Sequence, residues 1–409
     1  MPKNHVTTNA QRDSVASAVA PAGGRSPFAR LNELIAGIEP GKPPINLSVG
    51  EPQHSIPGFV GPQSAKHLAD FGRYPANKCG EPFRQAAAQW LSRRYKLSRP
   101  VDPESELLVL AGTREGLFLG VVAAHRYVSG RAGKPAVLIP NPFYAAYAAG
   151  AGAVGAEPVY LAARKHSDFL PDLDALSEEL LARTIVFFLA SPSNPQGAVA
   201  DRPHLERLLK LARQHGFLIF ADECYSEIYS KTPPTGMLEV GADDFSNIVI
   251  FHSLSKRSSL PGLRVGFAAG DRKFLAAFIE LRNVAAPQIP VPLQHVAVAA
   301  YADETHVKET RALYSAKFDL ADQIIGNRYD YKRPAGGFFL WLDVRDHGGS
   351  VEVTRRLWQN AGVRVVPGQY LAREQPDGSN PGADYIRVAM VQDKQATAEA
   401  LHRLVAELG

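Results

Sequence analysis

The sequence predicts an α/β fold: a large domain with a mostly parallel seven-stranded sheet flanked by helices, plus a smaller α+β domain from the C-terminal part and the N-terminal segment. Three observations carry this expectation. Short apolar runs recur seven times between residues 107 and 269. Each run is nearly continuous in apolar side chains, as strands covered on both faces require. Helix-length segments separate them, the rhythm of strands joined by crossover helices.

Residues 1–26 are small and polar and predict a mobile tail. Phe28, Leu31, Leu34 and Ile35 then fall at helical spacing, followed by GKPPINLSVGEP, an extended segment ending in turn residues. Residues 27–69 are expected to pack with the small domain. The large domain is expected over 70–295, with strands at LLVLAG (107–112), AVLIP (136–140), PVYLA (158–162), TIVFFLA (184–190), FLIFAD (217–222), NIVIFHS (247–253) and LRVGFAA (263–269). Beyond about 272 a long helical stretch leads to GGFFLWLDV (336–344), GVRVVPG (362–368) and YIRVAM (385–390), which predicts the small domain over 296–409. A chain of 409 residues has ample length for such a division.

Composition narrows the function classes. The net charge of +4 is small against 45 basic and 41 acidic residues, and no dense Lys/Arg run argues for nucleic acid. The longest uncharged stretch, 135–156, is broken by prolines and glycines, so no membrane span is expected. The N-terminus lacks the apolar core of a secretory signal. Cys79 and Cys224 stand far apart, which excludes a disulfide framework or a cysteine-rich zinc site. The histidines show no H-E-x-x-H pattern, so no metal is expected. A cytoplasmic protein is the expectation.

Two motifs fail on context. GAGAVG (150–155) has the G-x-G-x-x-G form, yet it closes an Ala-rich helix and precedes a strand, the reverse of a dinucleotide-binding turn. Ser253-Leu254-Ser255-Lys256 is a literal S-x-x-K, but the S-D-N and K-T-G partners of a serine acyl-enzyme are absent.

In parallel sheets ligands bind where the strands end, and there the sequence is informative. Gly112-Thr113-Arg114 follows the first run and opens a helix, where free N–H groups and the dipole suit a phosphate. Asn194 lies in SPSNP after TIVFFLA, Asp222 ends FLIFAD with Tyr225 three residues on, and Ser253, Lys256 and Arg264 flank the last two runs. A phosphate, an aromatic nitrogen that needs a carboxylate, a phenolic oxygen and a carbonyl that needs a lysine amine would use all of these together. That combination matches pyridoxal 5′-phosphate.

SLSKRSSLPGLRVGF, SPSNPQG and ADECYSEI resemble the lysine, asparagine and aspartate–tyrosine motifs of the class I/II aminotransferases with the aspartate aminotransferase fold. The resemblance covers about residues 28–409. It implies that Lys256 holds the cofactor and shuttles the proton, that Asp222 keeps the pyridine nitrogen protonated, and that Tyr225 and Asn194 hydrogen-bond the ring oxygen. It further implies that Tyr144 stacks on the ring and that Gly112, Thr113, Arg114 (through its backbone N–H), Ser253 and Arg264 cup the phosphate. Tyr74, in GRYPANKCG, resembles the tyrosine that reaches the neighbouring subunit's phosphate, implying a homodimer with shared sites. Arg387 resembles the arginine that clamps the substrate α-carboxylate, which Gly50 approaches with its backbone. Cys224 is read as a packed neighbour of Asp222, and Trp341 with the FFLWL aromatics as core.

LSVGEPQHSIP, EPFRQAAAQWLSRRYKL and FHSLSKRSSLPGLRVGF are similar to the subgroup acting on N-succinyl-L,L-diaminopimelate in lysine biosynthesis. Asn77-Lys78-Cys79 departs from that subgroup, which has Pro-Thr-Ala or similar before the glycine. The implied reaction moves an amino group between glutamate and a dicarboxylic keto acid. An aspartate, alanine or broad-specificity aminotransferase, and a same-fold C–S β-lyase, remain as alternatives.

Overall fold

The computed structural model describes residues 25–409. Of the expected tail, residues 1–24 lie outside the described residues. The strands are β1 (Ile45–Asn46), β2 (Leu107–Leu110), β3 (Ala136–Asn141), β4 (Glu157–Ala162), β5 (Thr184–Ala190), β6 (Leu218–Asp222), β7 (Ile248–Ser253), β8 (Gly266–Gly270), β9 (Phe339–Asp343), β10 (Val363–Arg364), β11 (Val366–Pro367) and β12 (Tyr385–Ala389).

The main sheet has seven strands in the order β2-β8-β7-β6-β5-β3-β4. Strands β3 to β7 pair in parallel, and β8 alone runs against its neighbours. Every residue of β2, β3, β7 and β8 is buried, which explains their unbroken apolar runs. The expectation of two covered faces fails for β4. It is an edge strand with every residue half-buried, since only one neighbour and less helix cover it. The run expected to begin at Leu263 also starts late. Pro261–Leu263 form a tight turn and Arg264 takes a left-handed φ of 55°, so the strand begins only at Gly266.

Helices cover both faces of the sheet. Thr113–Tyr127 and Arg272–Ala285 pack against one apolar cluster that contains Val121, Phe220, Phe251 and Phe278. Glu81–Tyr95 and Val291–Ala302 pack against another, with Trp90, Phe267 and Tyr301. GAGAVG does close a helix, Ala145–Ala153, and turns through Gly155 at a φ of 68° into β4.

A separate apolar core joins Leu47, Tyr314, Phe338, Phe339, Val363, Ile386 and Leu401. It is built from β9, β11 and β12 in an antiparallel sheet, β1 paired in parallel with β10, and the helices Thr305–Ile324, Gly349–Ala361 and Lys394–Leu408. The expected boundary at 295/296 falls inside the helix Val291–Ala302, whose Val296, Ala297, Ala300 and Tyr301 sit in the core of the main sheet. The N-terminal segment is also divided. Leu47 belongs to the second core, whereas Phe59 and Val60 pack against the first.

Candidate active site

The carboxyl ends of β5, β6 and β7 are in register: Ala190 pairs with Asp222, and Asp222 with Phe251. Residues just beyond these ends therefore share one edge of the sheet. Asp222 accepts a hydrogen bond from the Tyr147 hydroxyl at 2.8 Å and one from the Cys224 N–H at 3.3 Å. Desolvation raises its pKa above the usual carboxylate range, against these two bonds, and it forms no ion pair among the described residues. A carboxylate held this way is suited to a cationic N–H presented from the cleft.

Lys256 lies in the single turn Leu254–Arg257 that follows β7. Ser253 caps this turn, its hydroxyl oxygen accepting from the Ser255 N–H at 3.1 Å. The Lys256 ammonium donates to the Gly50 carbonyl and lies 5.4 Å from the Phe338 ring centre. Burial lowers its pKa to about 8, so a neutral amine is accessible near physiological pH.

Arg387, on β12, is only 4% exposed. Its Nη2 donates to the Ser48 carbonyl at 2.6 Å and its Nη1 to Asn194 Oδ1 at 3.1 Å, while the guanidinium rests 4.5 Å from the Phe339 ring centre. Its Nε is buried with no partner. Burial lowers its pKa to about 10, and Tyr225 opposes that effect. A fork with an unused buried donor fits a carboxylate ligand. Tyr225 packs edge-on to Phe338 and Phe339, and burial raises its phenol pKa.

The anion cup forms where β2 meets the helix Thr113–Tyr127. Gly112 has φ 82°, a left-handed conformation that favours glycine, and a Cβ built there would press on the Arg264 guanidinium. Arg264 Nη2 donates to the Ala111 carbonyl at 3.3 Å and its Nη1 to the Pro261 carbonyl at 2.9 Å. The Thr113 hydroxyl contacts Cys224 Sγ at 3.3 Å, and the Cys224 N–H bonds Asp222, the residue beside which Cys224 is expected to pack. Tyr144 caps the helix Ala145–Ala153, and its hydroxyl accepts from Arg114 Nε at 2.5 Å. Arg114 thus offers its side chain as well as its backbone.

The structure gathers Gly50, Gly112, Thr113, Arg114, Tyr144, Asn194, Asp222, Tyr225, Ser253, Lys256, Arg264 and Arg387 at the sheet edge. It leaves Tyr74 apart, wholly exposed in the single chain. Three contributions escaped the sequence. Tyr147 is one, and only its spacing of three from Tyr144 hinted at it. Ser255 is another: it is half-buried where Ser253 is buried, and its N–H donates to, and its hydroxyl accepts from, the Ser253 hydroxyl. The reading of FFLWL as core alone needs correction: Phe338 and Phe339 are core residues that also floor the site, and a Cβ at Gly50 would meet Phe339 at 2.6 Å.

An amine of lowered pKa, a carboxylate without a cation and an anion cup at a helix start fit one cofactor together, pyridoxal 5′-phosphate, and the free guanidinium fork adds a place for an amino-acid substrate. Fold and site define a pyridoxal-phosphate-dependent aminotransferase. The profile of aminotransferase class I and II matches residues 42–404, and the chain belongs to that family. It is 30% identical over 389 residues to an LL-diaminopimelate aminotransferase of Desulforudis audaxviator, a match covering 93% of this chain and 95% of that one. A crystal structure of an aminotransferase from Neisseria meningitidis superimposes with TM-score 0.89 at 37% identity, over 94% of this chain and 98% of that one. A "probable N-succinyldiaminopimelate aminotransferase" of Thermus thermophilus gives TM-score 0.81 at 25% identity, over 94% and 100%. The enzyme acts on small amino and keto acids, and none of its described helices is long and apolar enough to cross a membrane.

Proposed function

We propose that the enzyme exchanges an amino group between glutamate and a diaminopimelate-type substrate, N-succinyl-L,L-diaminopimelate first and the free L,L form second. The observation that carries the α-amino-acid part of this reading is the buried Arg387 fork, bonded to Asn194 and Ser48 with its Nε free. The names of the Desulforudis and Thermus relatives support the diaminopimelate part, and the first of them favours the free form as the second reading.

Pyridoxal phosphate supplies an electron sink for the substrate α-carbon. In this chain Lys256 would hold the cofactor through its aldehyde, and its amine would move the proton at the substrate α-carbon. Asp222, steadied by Tyr147, keeps the ring nitrogen protonated. Tyr225 and Asn194 would hydrogen-bond the ring oxygen, and Tyr144 would pack on the ring face. Gly112, Thr113 and Arg114 offer backbone N–H groups to the phosphate, with Ser253 and Arg264 beside them. Arg387 and the Gly50 backbone orient the α-carboxylate. Tyr74, free in the single chain, would reach the site of a second copy, so we infer a homodimer with shared sites, working in the cytoplasm.

The test uses purified holoenzyme with 2-oxoglutarate and a series of donors: succinylated diaminopimelate, L,L-diaminopimelate, aspartate and alanine. A kcat/KM for one diaminopimelate at least about tenfold above aspartate and alanine, or about 1.4 kcal/mol of discrimination, supports the reading. Equal or better use of aspartate or alanine overturns it. Pyruvate released from cystathionine without any keto acid would instead show a lyase.

A further inference from the structure

A second cationic feature lies beside the site and has no part in the chemistry above. The segment after β11 is tied to the end of β3. Asn141 Nδ2 donates to the Arg373 carbonyl at 2.8 Å, the Arg373 N–H donates to Asn141 Oδ1 at 2.9 Å, and the Phe143 N–H donates to the Leu371 carbonyl at 3.1 Å. Phe143 immediately precedes Tyr144. At its other end, the same segment begins next to Arg387, because Val366 of β11 is the register partner of Arg387. The strip 368–373 therefore runs from the proposed α-carboxylate clamp to the residue before the ring-stacking tyrosine.

Two guanidinium groups stand on this strip. That of Arg373 lies 5.0 Å from the Phe143 ring centre, and that of Arg30 lies 3.8 Å from the ring centre of Tyr370. The helix Pro27–Leu34 brings Arg30 there because Leu31 is buried with Val366 and Leu371. Burial lowers the Arg373 pKa, the Tyr160 hydroxyl beside it opposes that effect, and the nearby Arg30 charge adds to it, so the two cations feel one another. Neither forms an ion pair among the described residues, although arginine elsewhere in the chain does so repeatedly. Arg373 spends one guanidinium N–H on the carbonyl of its own neighbour, Ala372, at 3.1 Å. Two like charges held together on aromatic faces raise one another's energy until an anion joins them. Flat guanidinium groups match a carboxylate in particular.

We propose that Arg30 and Arg373 form the subsite for the carboxylate at the far end of the substrate, the end remote from the reacting carbon. This rests on the reading that the substrate carries more than one carboxylate. It gives the chain its own means of preferring long dicarboxylic substrates over alanine.

The test is equilibrium binding to the holoenzyme of adipate, pimelate and suberate, each against the monocarboxylate of equal length, by calorimetry. The wild type is expected to favour one of the longer diacids by about tenfold or more, the worth of about 1.4 kcal/mol. Arg373→Gln and Arg30→Gln should each reduce that preference, and the double variant should abolish it while still binding the monocarboxylate. Arg373→Lys, which keeps the charge, should retain part of it. The proposal falls if the wild type shows no diacid preference, if the preference survives in the double variant, or if diacid and monoacid weaken equally. None of these readings needs turnover. An enzyme that ignores both diaminopimelates but shows the diacid preference loses its substrate assignment and keeps the subsite.

Discussion

Replacing Arg387 by lysine tests the proposed clamp most directly. In the structure the guanidinium already serves two internal acceptors, the Ser48 carbonyl and Asn194 Oδ1, and keeps its Nε and remaining N–H groups for a ligand. Lysine retains the charge but carries its donors on a single nitrogen, which cannot hold both internal acceptors and grip a carboxylate with two parallel bonds. The loss is at least one charge-assisted hydrogen bond, about 1.5–3 kcal/mol. At tenfold per 1.4 kcal/mol this is roughly a 10–150-fold weaker hold on the α-carboxylate. The assay is a titration of the pyridoxal form with glutamate in the absence of acceptor, followed through the cofactor's visible band, which separates binding from the limiting rate. The apparent Kd should rise by that factor while the affinity for a simple primary amine stays the same. A glutamate Kd within about twofold of the wild type would refute the reasoning, because no buried bidentate contact is worth so little. Equal weakening for the primary amine would show that the change disturbed the pocket and not a carboxylate clamp.

Lys256 and Tyr147 give two further tests. With the Lys256 pKa lowered to about 8 by burial, the amine that captures the cofactor aldehyde is roughly 10% neutral at pH 7 and nearly all neutral at pH 10. Reconstitution of cofactor-free protein should therefore speed up about tenfold per pH unit below 8 and level off above it; a rate still climbing through pH 10 would place the amine in solvent. Tyr147→Phe removes the hydroxyl that holds Asp222 in its ionised form but keeps the ring stacked on Phe188 at 4.2 Å. Loss of a bond to a charged acceptor costs about 1.5–3 kcal/mol, so the cofactor Kd should rise by roughly 10–150-fold while the melting temperature without cofactor moves little. Unchanged cofactor retention would separate Tyr147 from the function of Asp222.

The parts of the molecule that the sequence revealed are those governed by local rules. A strand covered on both faces must be apolar throughout, so β5, β6 and β7 were visible as runs, and the polar residues that end them stood out against that background. Asp222 and Lys256 were legible for this reason. The edge position of β4 was not, because burial of a strand depends on its neighbours in space and PVYLA carries no sign of them. Tyr147 was hidden for a related reason. An Ala-rich helix gives little amphipathic signal, so nothing in AAYAAGAGA shows which tyrosine faces a carboxylate of β6. The sequence of the Phe338–Phe339 pair implies core, and it is core. Its second task, flooring the site under Gly50 and Arg387, arises from a loop closing over it from almost three hundred residues away in the chain.

That loop is held by a residue that no motif marks. Lys317 is 3% exposed, and its ammonium bonds His54 Nε2 at 2.9 Å and the carbonyls of Met390 and Val391 at 3.1 and 3.3 Å. It thereby fastens the chain just after Gly50 to the chain just after Arg387, the two segments proposed to meet the substrate α-carboxylate. Burial lowers the Lys317 pKa to about 8 and, with Lys317 beside it, that of His54 to about 4. The pair is therefore one cation and one neutral ring at neutral pH, and the ring nitrogen facing Lys317 accepts the hydrogen bond. This anchor would keep the loop in place once the proposed cofactor link occupies the Lys256 amine. In the proposed reaction the ammonium contact with the Gly50 carbonyl would be given up, while the Lys317 contacts lie outside the exchange. Under the proposed reaction the Gly50 carbonyl would lose the ammonium against a fixed backbone, and Arg387 would meet a substrate with its Ser48 and Asn194 contacts already made.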